Sequence, residues 1–547
     1  MRSSDVADNA YWRLDREDAG LNAGELWRRA ESSRLAGDLV GARREYCELV
    51  RIASIACYAH LRLADLDLSA GELRASSGHA LQAYRLAHDE PSLLAQLCRQ
   101  LFGLGEIQAA LDVASRLDRI SDSAFPLLAQ IAKLLSDSME PVAALALLAH
   151  ARDAGLPPSA GGHYLEGLNR LYLGELDRAF DALTASVGLD PAFAPAYWSL
   201  AKLRRQEQRG ERIDRLQSLL ERHQDSHPDA ALWLYSLFHE LDADDQVDRA
   251  WPILQRAMRA RGHQVPYDEP RESALLRRLT GDMRKWASHH DLQSHHEDDG
   301  SPMPVMVVGM PRTGTTIIEQ SLCRSRDMQA AGELHDYVRQ MRWIANRPGG
   351  LEPDTGLIDA IQPGHLDELG RRYRSHTVWR AQGASRYSDK WPENYLVQGI
   401  ALASLPGLRV LAVRRDAMDS CWSNLREWFG GAYRYSYDVK HVARRQVAYK
   451  RLLDSACEAF GERIVAADYE DFVRSPEVET NRLAELLGLP TREQAMPVGA
   501  AVATASAVQV RERITDGNIG TWRRYERWLG PLQAALETAQ RIEESHA

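Results

Sequence analysis

The sequence predicts an α plus α/β multidomain protein, in which an N-terminal α-solenoid precedes a three-layer α/β domain with a parallel sheet. Its 547 residues are too many for one hydrophobic core. The first half is rich in Ala and Leu at helical spacing and contains a Gly-acidic pair at a nearly constant interval. From about residue 304 the pattern changes to short continuous apolar runs, which are typical of buried parallel strands. One of these runs leads into a loop of small residues and then a helix pattern, as phosphate-binding loops do.

The recurring Gly-acidic pairs define a repeat. Successive pairs stand 34 residues apart, and the last interval is 35: Gly37-Asp38, Gly71-Glu72, Gly105-Glu106, Met139-Glu140 and Gly174-Glu175. This period is the signature of the tetratricopeptide (TPR) repeat, in which each unit is a pair of helices. We expect six or seven helix pairs, the last of them degenerate in sequence. An ordinary helical bundle is the alternative, but a fixed step has no reason to recur in a bundle.

These patterns predict four segments along the chain. They are an N-terminal extension (1–25), a TPR solenoid (26–262), a linker (263–303) and the α/β domain (304–547). Within the linker we expect one connecting helix over Leu275 to Trp286. Four histidines follow with nearby acids and could be drawn as a metal site: His289, His290, His295 and His296. Adjacent His pairs in a polar run offer no rigid ligand geometry, so we expect a solvated linker there.

Composition excludes several classes of protein. A net charge of −10 argues against a nucleic-acid binder, for which a basic surface is the expected footprint. The six cysteines are far apart without a CxxC, which predicts neither a disulfide framework nor a zinc site and favours a reducing cytoplasm. We find no apolar core of a signal peptide and no apolar run of about 18 residues, so we expect a cytoplasmic protein without a membrane span.

The stretch Pro304–Thr316, PVMVVGMPRTGTT, carries the strongest functional signal. Gly309 and Gly314 have the GxxxxG spacing of a P-loop, in which backbone N–H groups and a helix N-terminus hold an anion. Nucleotide-hydrolysing P-loops continue with Gly-Lys-Ser/Thr, whereas this loop continues Gly314-Thr315-Thr316. We expect Arg312 to supply the missing charge, because its planar fork can hold two oxygens of a phosphate.

The residues PRTGTT resemble the 5′-phosphosulfate loop, commonly written PRSGTT, of sulfotransferases that use 3′-phosphoadenosine 5′-phosphosulfate (PAPS). The similarity to TPR-linked and tyrosylprotein sulfotransferases covers about residues 26–532. It implies a P-loop-like sulfotransferase domain, PAPS as cofactor without a metal, and transfer to a hydroxyl acceptor such as a protein tyrosine, a sugar or a small molecule. It also implies that the TPR repeats recruit a protein partner. The implied cofactor-binding residues of the loop are Arg312, which is also a catalytic candidate, Thr313, Gly314, Thr315 and Thr316.

A second motif, RRDAMDSCWS, follows the apolar run Leu408–Val413. Arg415 and Ser423 stand eight residues apart across a predicted strand-to-helix turn, so both can reach one phosphate. In sulfotransferases an Arg and a Ser with this spacing hold the 3′-phosphate of the cofactor. The alternative is a surface ion pair of Arg415 with Asp416 or Asp419.

Further residues match the family pattern near the C-terminus. Tyr469, after a third predicted strand at Arg463–Ala467, is expected either near the adenine or packed on that strand. Ser506 and the stretch 509–522 resemble the segment that closes over the 3′-phosphate. The chain departs from the family there, because Thr521 stands where a Lys or Arg is usual, and Arg523 or Arg524 is the expected substitute.

Two residues are catalytic candidates besides Arg312. Glu333, in GEL, stands where the tyrosylprotein and TPR-linked enzymes have their catalytic base, whereas small-molecule sulfotransferases use a His, and His335 is therefore the alternative base. A carboxylate can remove the proton of the acceptor hydroxyl. We expect Glu333 to start a helix, so the competing interpretation is a first-turn acid favoured by the helix dipole.

Lys390 lies in SDKWPENY, which is similar to the DKxPEN segment of the TPR-linked enzymes. The chain has only six lysines, which favours a specific role for the one at this point. Its implied role is to neutralise charge on the bridging oxygen as the phosphate leaves, and a plain surface lysine is the alternative. The sequence as a whole predicts a PAPS-dependent sulfotransferase. Its rivals are a P-loop kinase or NTPase, for which Asp416 is the obvious Mg²⁺-binding acid, and a TPR scaffold with an inactive enzyme domain.

Overall fold

The computed structural model describes residues 20–117, 125–290, 300–325, 327–489 and 514–545. The chain divides into two compact units. The first comprises Met1–Pro157, Asp336–Glu352 and Gly356–Ile361, and the second comprises Pro158–His335, Pro353–Thr355 and Gln362–Ala547. The sequence predicts different boundaries, with segments 1–25, 26–262, 263–303 and 304–547. These follow from the repeat and motif pattern and stay a prediction.

Helix pairs make up the first half of the described chain. Four pairs belong to the first unit: α1 Gly20–Leu35, α2 Leu39–Leu49, α3 Ala56–Ser69, α4 Leu73–Leu86, α5 Pro91–Leu104, α6 Ile107–Leu117, α7 Phe125–Asp137 and α8 Pro141–Asp153. Three pairs belong to the second: α9 Ala160–Leu173, α10 Leu176–Leu189, α11 Ala194–Leu203, α12 Arg209–Arg222, α13 Ala230–Ala243 and α14 Val247–Gln264. The predicted six or seven helix pairs are thus confirmed within the described residues.

The recurrence of glycine at a step of about 34 residues has a conformational cause. The turn inside each of the first five pairs contains one residue with left-handed backbone, at φ 81° for Gly37, 87° for Gly71, 83° for Gly105, 68° for Met139 and 81° for Gly174. Glycine adopts this conformation without a steric penalty, which is why it recurs there. In the last pair Asp245 takes the same role at φ 57°. The absence of glycine at this turn explains why the late repeats are hard to recognise.

One helix from the second half of the chain belongs to the first unit. Helix α17, Asp336–Ile344, packs against α4. Beyond its end, Asn346 Oδ1 accepts a hydrogen bond from Arg74 N at 2.8 Å, and its Nδ2 donates to Glu72 Oε2 at 2.6 Å. The Arg74 guanidinium lies 5.6 Å from the Trp343 ring centroid.

A five-stranded parallel sheet forms the centre of the α/β domain. Its order is β2-β3-β1-β4-β5, with strands β1 Met303–Gly309, β2 Met328–Ala330, β3 Arg386–Asp389, β4 Arg409–Arg414 and β5 Ile464–Asp468. The three predicted strands correspond to β1, β4 and β5. Strands β2 and β3 were not predicted, because they are three and four residues long and read MQA and RYSD, which lack the apolar run of a buried strand.

The other helices lie before, between and after these strands. They are α15 Glu269–His290, α16 Thr315–Leu322, α18 Thr355–Ala360, α19 Leu366–Thr377, α20 Gln398–Ser404, α21 Ala417–Leu425, α22 Val439–Phe460, α23 Tyr469–Arg474, α24 Pro476–Leu486 and α25 Gly530–Ser545. Side chains of β1, β4 and β5 that point to one face form a core with α16, α23 and α24. Helix α22 also packs against β5, and its Tyr449 donates to Val413 O at 2.9 Å.

The segment predicted as a linker contains a packed helix. Helix α15 is 22 residues long and includes the connecting helix expected over Leu275 to Trp286, both of which are buried. It packs against α20 and α22, and its Glu272 pairs with Arg445 at 3.1 Å. His289 Nδ1 lies 2.7 Å from Lys285 O, and residues 291–299, with His295 and His296, lie outside the described residues.

Three further findings concern cysteines, membrane spans and metal ligands. All six cysteines are free thiols. Among the described helices, none combines the length and the apolar character needed to cross a bilayer. Across the described ranges, no group of three or more His, Cys, Asp and Glu side chains is arranged to hold a metal ion.

Candidate active site

The candidate site residues lie at one edge of the sheet. Each of the five strands is followed within three residues by a residue selected from the sequence: Arg312 after β1, Glu333 after β2, Lys390 after β3, Arg415 after β4 and Tyr469 after β5. Because the strands are parallel, their carboxyl ends meet at the same edge, where ligands of open α/β sheets bind. The sequence motifs are therefore brought together by the sheet.

The loop between β1 and α16, residues 309–316, is tightly closed. Gly314 has φ 101°, and a Cβ there would lie 2.3 Å from Tyr469 Cδ2, so only glycine fits. Thr313 Oγ1 donates to Met310 O at 2.8 Å. Thr315 and Thr316 form the first turn of α16, where backbone N–H groups have no helical partner and can receive an anion.

Arg415 is held against this loop by backbone oxygens. One terminal nitrogen donates to Arg312 O at 2.9 Å and the other to Asn518 O at 2.6 Å, while its guanidinium lies 4.4 Å from the Tyr469 ring centroid. Its buried Nε has no hydrogen-bond partner. A buried guanidinium donor without a partner is costly, and an anionic ligand would satisfy it.

The acids considered as partners of Arg415 bind elsewhere. Asp416 caps helix α21 by accepting from Asp419 N at 3.0 Å. Asp419 Oδ2 accepts from Gly520 N at 2.6 Å, and its Oδ1 lies 3.4 Å from Thr521 Oγ1. Asp419 thus fixes the C-terminal segment beside Arg415.

A cavity of about 300 Å³ lies next to the loop. We call it the cationic cavity, because six of its lining residues are basic: Lys202, Arg204, Arg312, Arg415, Arg426 and Arg524. Ser423, Tyr469 and Thr521 also line it, and Glu427 is the one acid among the lining residues in the described part of the chain. Of the two arginines proposed to replace the family's usual basic residue, Arg524 lines the cavity, whereas the guanidinium of Arg523 lies 5.3 Å from the Trp522 ring centroid. Ser506 lies outside the described residues.

Glu333 and Lys390 form an ion pair. Lys390 Nζ donates to Glu333 Oε1 at 2.7 Å, and the Lys390 side chain is 1% exposed while that of Glu333 is 29% exposed. A plain surface lysine is thus excluded. The half-buried carboxylate is accessible to a ligand, whereas the lysine is almost fully enclosed.

The expectation that Glu333 starts a helix is wrong. Helix α17 begins at Asp336, and Glu333 lies in the loop before it. Gly332, with φ 85°, accepts a hydrogen bond from Lys390 N at 2.9 Å, which holds this backbone in a non-helical conformation. Glu333 is therefore not a first-turn acid of that helix. The alternative base, His335, packs edge-on against Trp391 with ring centroids 4.8 Å apart.

Glu319, on α16, was not predicted from the sequence as a site residue. This carboxyl is 1% exposed and accepts a hydrogen bond from Ser388 Oγ on β3. Burial raises the pKa of Glu319, and the nearby Lys390 opposes that shift. The position is hard to infer from sequence, because an acid in the interior of an amphipathic helix usually faces solvent.

Lys202 and Glu427 were also not predicted from the sequence. Lys202, on α11, donates to both oxygens of Glu427, at 2.7 and 3.0 Å, and Glu427 lies 3.4 Å from Arg312 Nε. Burial and the neighbouring Arg312 and Arg426 lower the pKa of Lys202 to about 8, against the opposing effect of Glu427. One signal for Lys202 was available, because it is one of only six lysines, as Lys390 is.

Asp242, on α13, binds several of the arginines around the cavity. Its fully buried carboxylate lies 2.5 Å from Arg426 Nη2, 3.0 Å from Arg524 Nη1 and 3.2 Å from Arg204 Nη2, and it accepts from Tyr525 Oη at 2.9 Å. Burial raises the pKa of Asp242, but Arg426 and Arg524 outweigh burial and hold it below its ordinary value. The charged carboxylate thus positions three basic side chains of the cationic cavity.

Comparison with known proteins finds a match for most of the α/β domain. Residues 304–493 match the family model described as the sulfotransferase family. An uncharacterized protein of Aquifex aeolicus (strain VF5) is 24% identical over 383 residues, which is 67% of this chain and 48% of the relative. The chain thus spans about half the length of the curated relative that it matches.

Two solved structures each show similarity to part of the chain. A tetratricopeptide repeat protein from Parabacteroides merdae has 14% identity and a TM-score of 0.31, and the match covers 44% of this chain and 93% of that one. The sulfotransferase domain of the Synechococcus PCC 7002 olefin synthase has 15% identity and a TM-score of 0.31, with coverage of 45% and 97%.

Proposed function

We propose that this chain, whose residues 304–493 match the sulfotransferase family, transfers the sulfuryl group of PAPS to a hydroxyl acceptor. The observation that carries the proposal is the convergence of five motif residues, one after each strand, at the carboxyl edge of the sheet. Three of the five, Arg312, Arg415 and Tyr469, line the cationic cavity, in which basic side chains outnumber the one acid among the described residues. Such a site fits a ligand that carries several negative charges.

The residues present fit PAPS as ligand. Residues Arg312 to Thr316 would hold its 5′-phosphosulfate through backbone N–H groups and the Arg312 guanidinium. Arg415 and Ser423 would hold its 3′-phosphate, and the unpartnered Nε of Arg415 is a donor available for it. Tyr469 packs on Gly314 and under Arg415, where it would border the nucleotide. When bound, PAPS supplies the sulfuryl group and the bisphosphate leaving group.

Glu333 and Lys390 are the proposed catalytic pair, with Arg312. The exposed part of the Glu333 carboxylate would accept the proton of the acceptor hydroxyl as the new S–O bond forms. Lys390 orients this carboxylate through the 2.7 Å hydrogen bond. Its ammonium, and the Arg312 guanidinium, would stabilise negative charge on the departing phosphate, because both are fixed and largely removed from water.

The acceptor and the partner are separate parts of the proposal. A protein tyrosine, a sugar and a small molecule each carry a hydroxyl that Glu333 could deprotonate. The helix pairs are proposed to recruit the acceptor protein or another protein partner, as stacked helical repeats offer extended binding surfaces.

Calorimetry with the full chain tests the cofactor. We expect binding of adenosine 3′,5′-bisphosphate in the presence of a chelator, and weaker binding of ATP with Mg²⁺. The reverse order of affinities would favour a kinase or NTPase. Incubation with PAPS carrying labelled sulfur, followed by mass spectrometry of candidate acceptors, tests transfer. If the chain binds the bisphosphate but labels no acceptor from any class, the inactive-scaffold alternative is favoured.

A further inference from the structure

We propose that Lys202, on helix α11 of the helical repeats, is a ligand for the anion bound in the cationic cavity, so that the repeats complete the cofactor site. The inference rests on the proposed function, because the anion meant is a phosphate group of PAPS. It assigns to one helix pair a role in the reaction itself, in addition to any role in recruiting a partner.

The placement of Lys202 is the first observation. Its side chain is 14% exposed, and it lines the same cavity as Arg312, Arg415 and Ser423. An ammonium has three N–H donors. Two of them reach the two oxygens of Glu427, and the Trp198 ring centroid lies 5.2 Å from the nitrogen. The lysine is thus held in one position beside the loop.

The charge balance of the cavity is the second observation. Glu427 is shared between Lys202 and Arg312, so a single carboxylate faces two cations. The remaining basic residues of the lining add to this excess, although Asp242 offsets part of it from behind. A buried excess of positive charge is unfavourable unless an anion enters. Lys202 therefore contributes to the positive charge that attracts an anion, in addition to pairing with Glu427.

The neighbouring helix α13 also contributes to the cationic cavity, so Lys202 is not the only residue of the helix pairs there among the described residues. His239, on α13, lines the cavity and its Nε2 lies 2.8 Å from Arg426 O. Asp242, one turn later, binds Arg426 and Arg524. Both helices thus supply or position cavity residues, which makes a ligand role for Lys202 consistent with its surroundings.

The test compares Glu427→Gln with the double variant Lys202→Met/Glu427→Gln. Replacing Lys202 alone would leave a buried carboxylate that repels any anion, so the single lysine variant cannot decide the question. With Glu427 neutral, we expect the double variant to bind adenosine 3′,5′-bisphosphate about ten- to a hundredfold more weakly than Glu427→Gln, which is the value of one charge-assisted contact. Equal affinities would show that Lys202 only neutralises Glu427, and would overturn the inference.

Hydrogen exchange gives a second readout. Bound bisphosphate should slow amide exchange in residues 194–203 of Glu427→Gln, and should do so much less in the double variant. Lys440→Met is the matched control, because Lys440 is an exposed lysine outside the cavity lining, and it should leave the affinity unchanged. Both variants should keep the circular dichroism of the parent chain.

Bisphosphate binding by the parent chain and by the two variants distinguishes failure of this inference from failure of the proposed function. If the parent chain binds the bisphosphate and the two variants bind it equally, only the Lys202 inference fails. If the parent chain does not bind the bisphosphate, the proposed function fails. The same pair of variants titrated with inorganic pyrophosphate then decides whether Lys202 holds an anion.

Discussion

Lys390 Nζ and Glu333 Oε1 lie 2.7 Å apart although 57 residues separate them along the chain. Glu333 follows β2 and Lys390 follows β3, and these strands are neighbours in the sheet. The strand order therefore creates the pair. The strand order thus places the proposed base and the proposed cation of sulfuryl transfer side by side at the carboxyl edge of the sheet.

Glu333→Gln should reduce turnover while cofactor affinity stays near the parent value. Gln keeps an oxygen that can accept from Lys390 but cannot take a proton. General-base catalysis typically contributes about 10²–10⁴-fold, and we expect a loss of that order in kcat. Steady-state kinetics with an identified acceptor, together with calorimetry of the bisphosphate, measure both quantities.

His335→Ala is the control for this experiment. Its ring packs against Trp391, so some loss of stability is expected, but turnover should persist. Loss of turnover in His335→Ala alongside normal turnover in Glu333→Gln would assign the base to His335.

Arg415→Ala should weaken bisphosphate binding by about ten- to a hundredfold, because a hydrogen bond to a charged group contributes about 1.5–3 kcal/mol. The loss should be much smaller for adenosine 5′-monophosphate, which lacks the 3′-phosphate. Calorimetry of the parent and variant with both nucleotides gives the four affinities needed. An equal loss for both nucleotides would show that Arg415 does not hold the 3′-phosphate.

Bisphosphate affinity should depend on pH through Lys202. Burial, Arg312 and Arg426 lower the pKa of this lysine to about 8, so without ligand it is charged below pH 8 and neutral above it. A bound anion favours the charged form and raises the pKa. Affinity should therefore be highest below about pH 8 and fall as the pH rises through this value.

This pH dependence has its own control. The groups that face Lys202 are Glu427, Arg312 and Arg426, with His239 on the adjacent helix, whose pKa burial and Lys202 hold well below its ordinary value. His239 is therefore neutral near pH 8 and does not compete with Lys202 for a proton there. The decline in affinity should thus disappear in Lys202→Met/Glu427→Gln, and an unchanged decline there would assign it to another group.

Asp242→Asn should destabilise the protein and weaken bisphosphate binding together. The change removes the charge that holds Arg204, Arg426 and Arg524, and we expect a loss of about 1–3 kcal/mol in the free energy of unfolding. Asp245→Asn is a matched control, since Asp245 also pairs with Arg524 but its side chain is 87% exposed. Its effect should stay within about 0.5 kcal/mol. Equal melting temperatures for the two variants would contradict the positioning role of Asp242.

Local patterns predicted the parts of the site that lie within a single motif. The loop glycines, Arg312 and the Arg415–Ser423 spacing could be recognised because their conformational and charge requirements act over a few residues. The helix pairs were predictable for the same reason, since each turn needs a left-handed residue at a fixed step.

Long-range relationships could not be predicted in this way. Strand β3 was missed because its four residues lack an apolar run, and with it the pairing that brings Lys390 to Glu333. The contact of Lys202 with Glu427 joins residues 225 positions apart. No local spacing encodes such a contact, because it depends on how α11 packs near the end of α21.

The carboxylate of Glu427 is a built-in counter-ion for Lys202 and Arg312. A ligand entering beside Lys202 and Arg312 competes with a counter-ion that is covalently part of the chain and never diffuses away. Chloride or another singly charged ion offers no more charge than this resident carboxylate. A nucleotide bisphosphate offers several charges at once, so the cavity should discriminate among anions by valence as well as by shape.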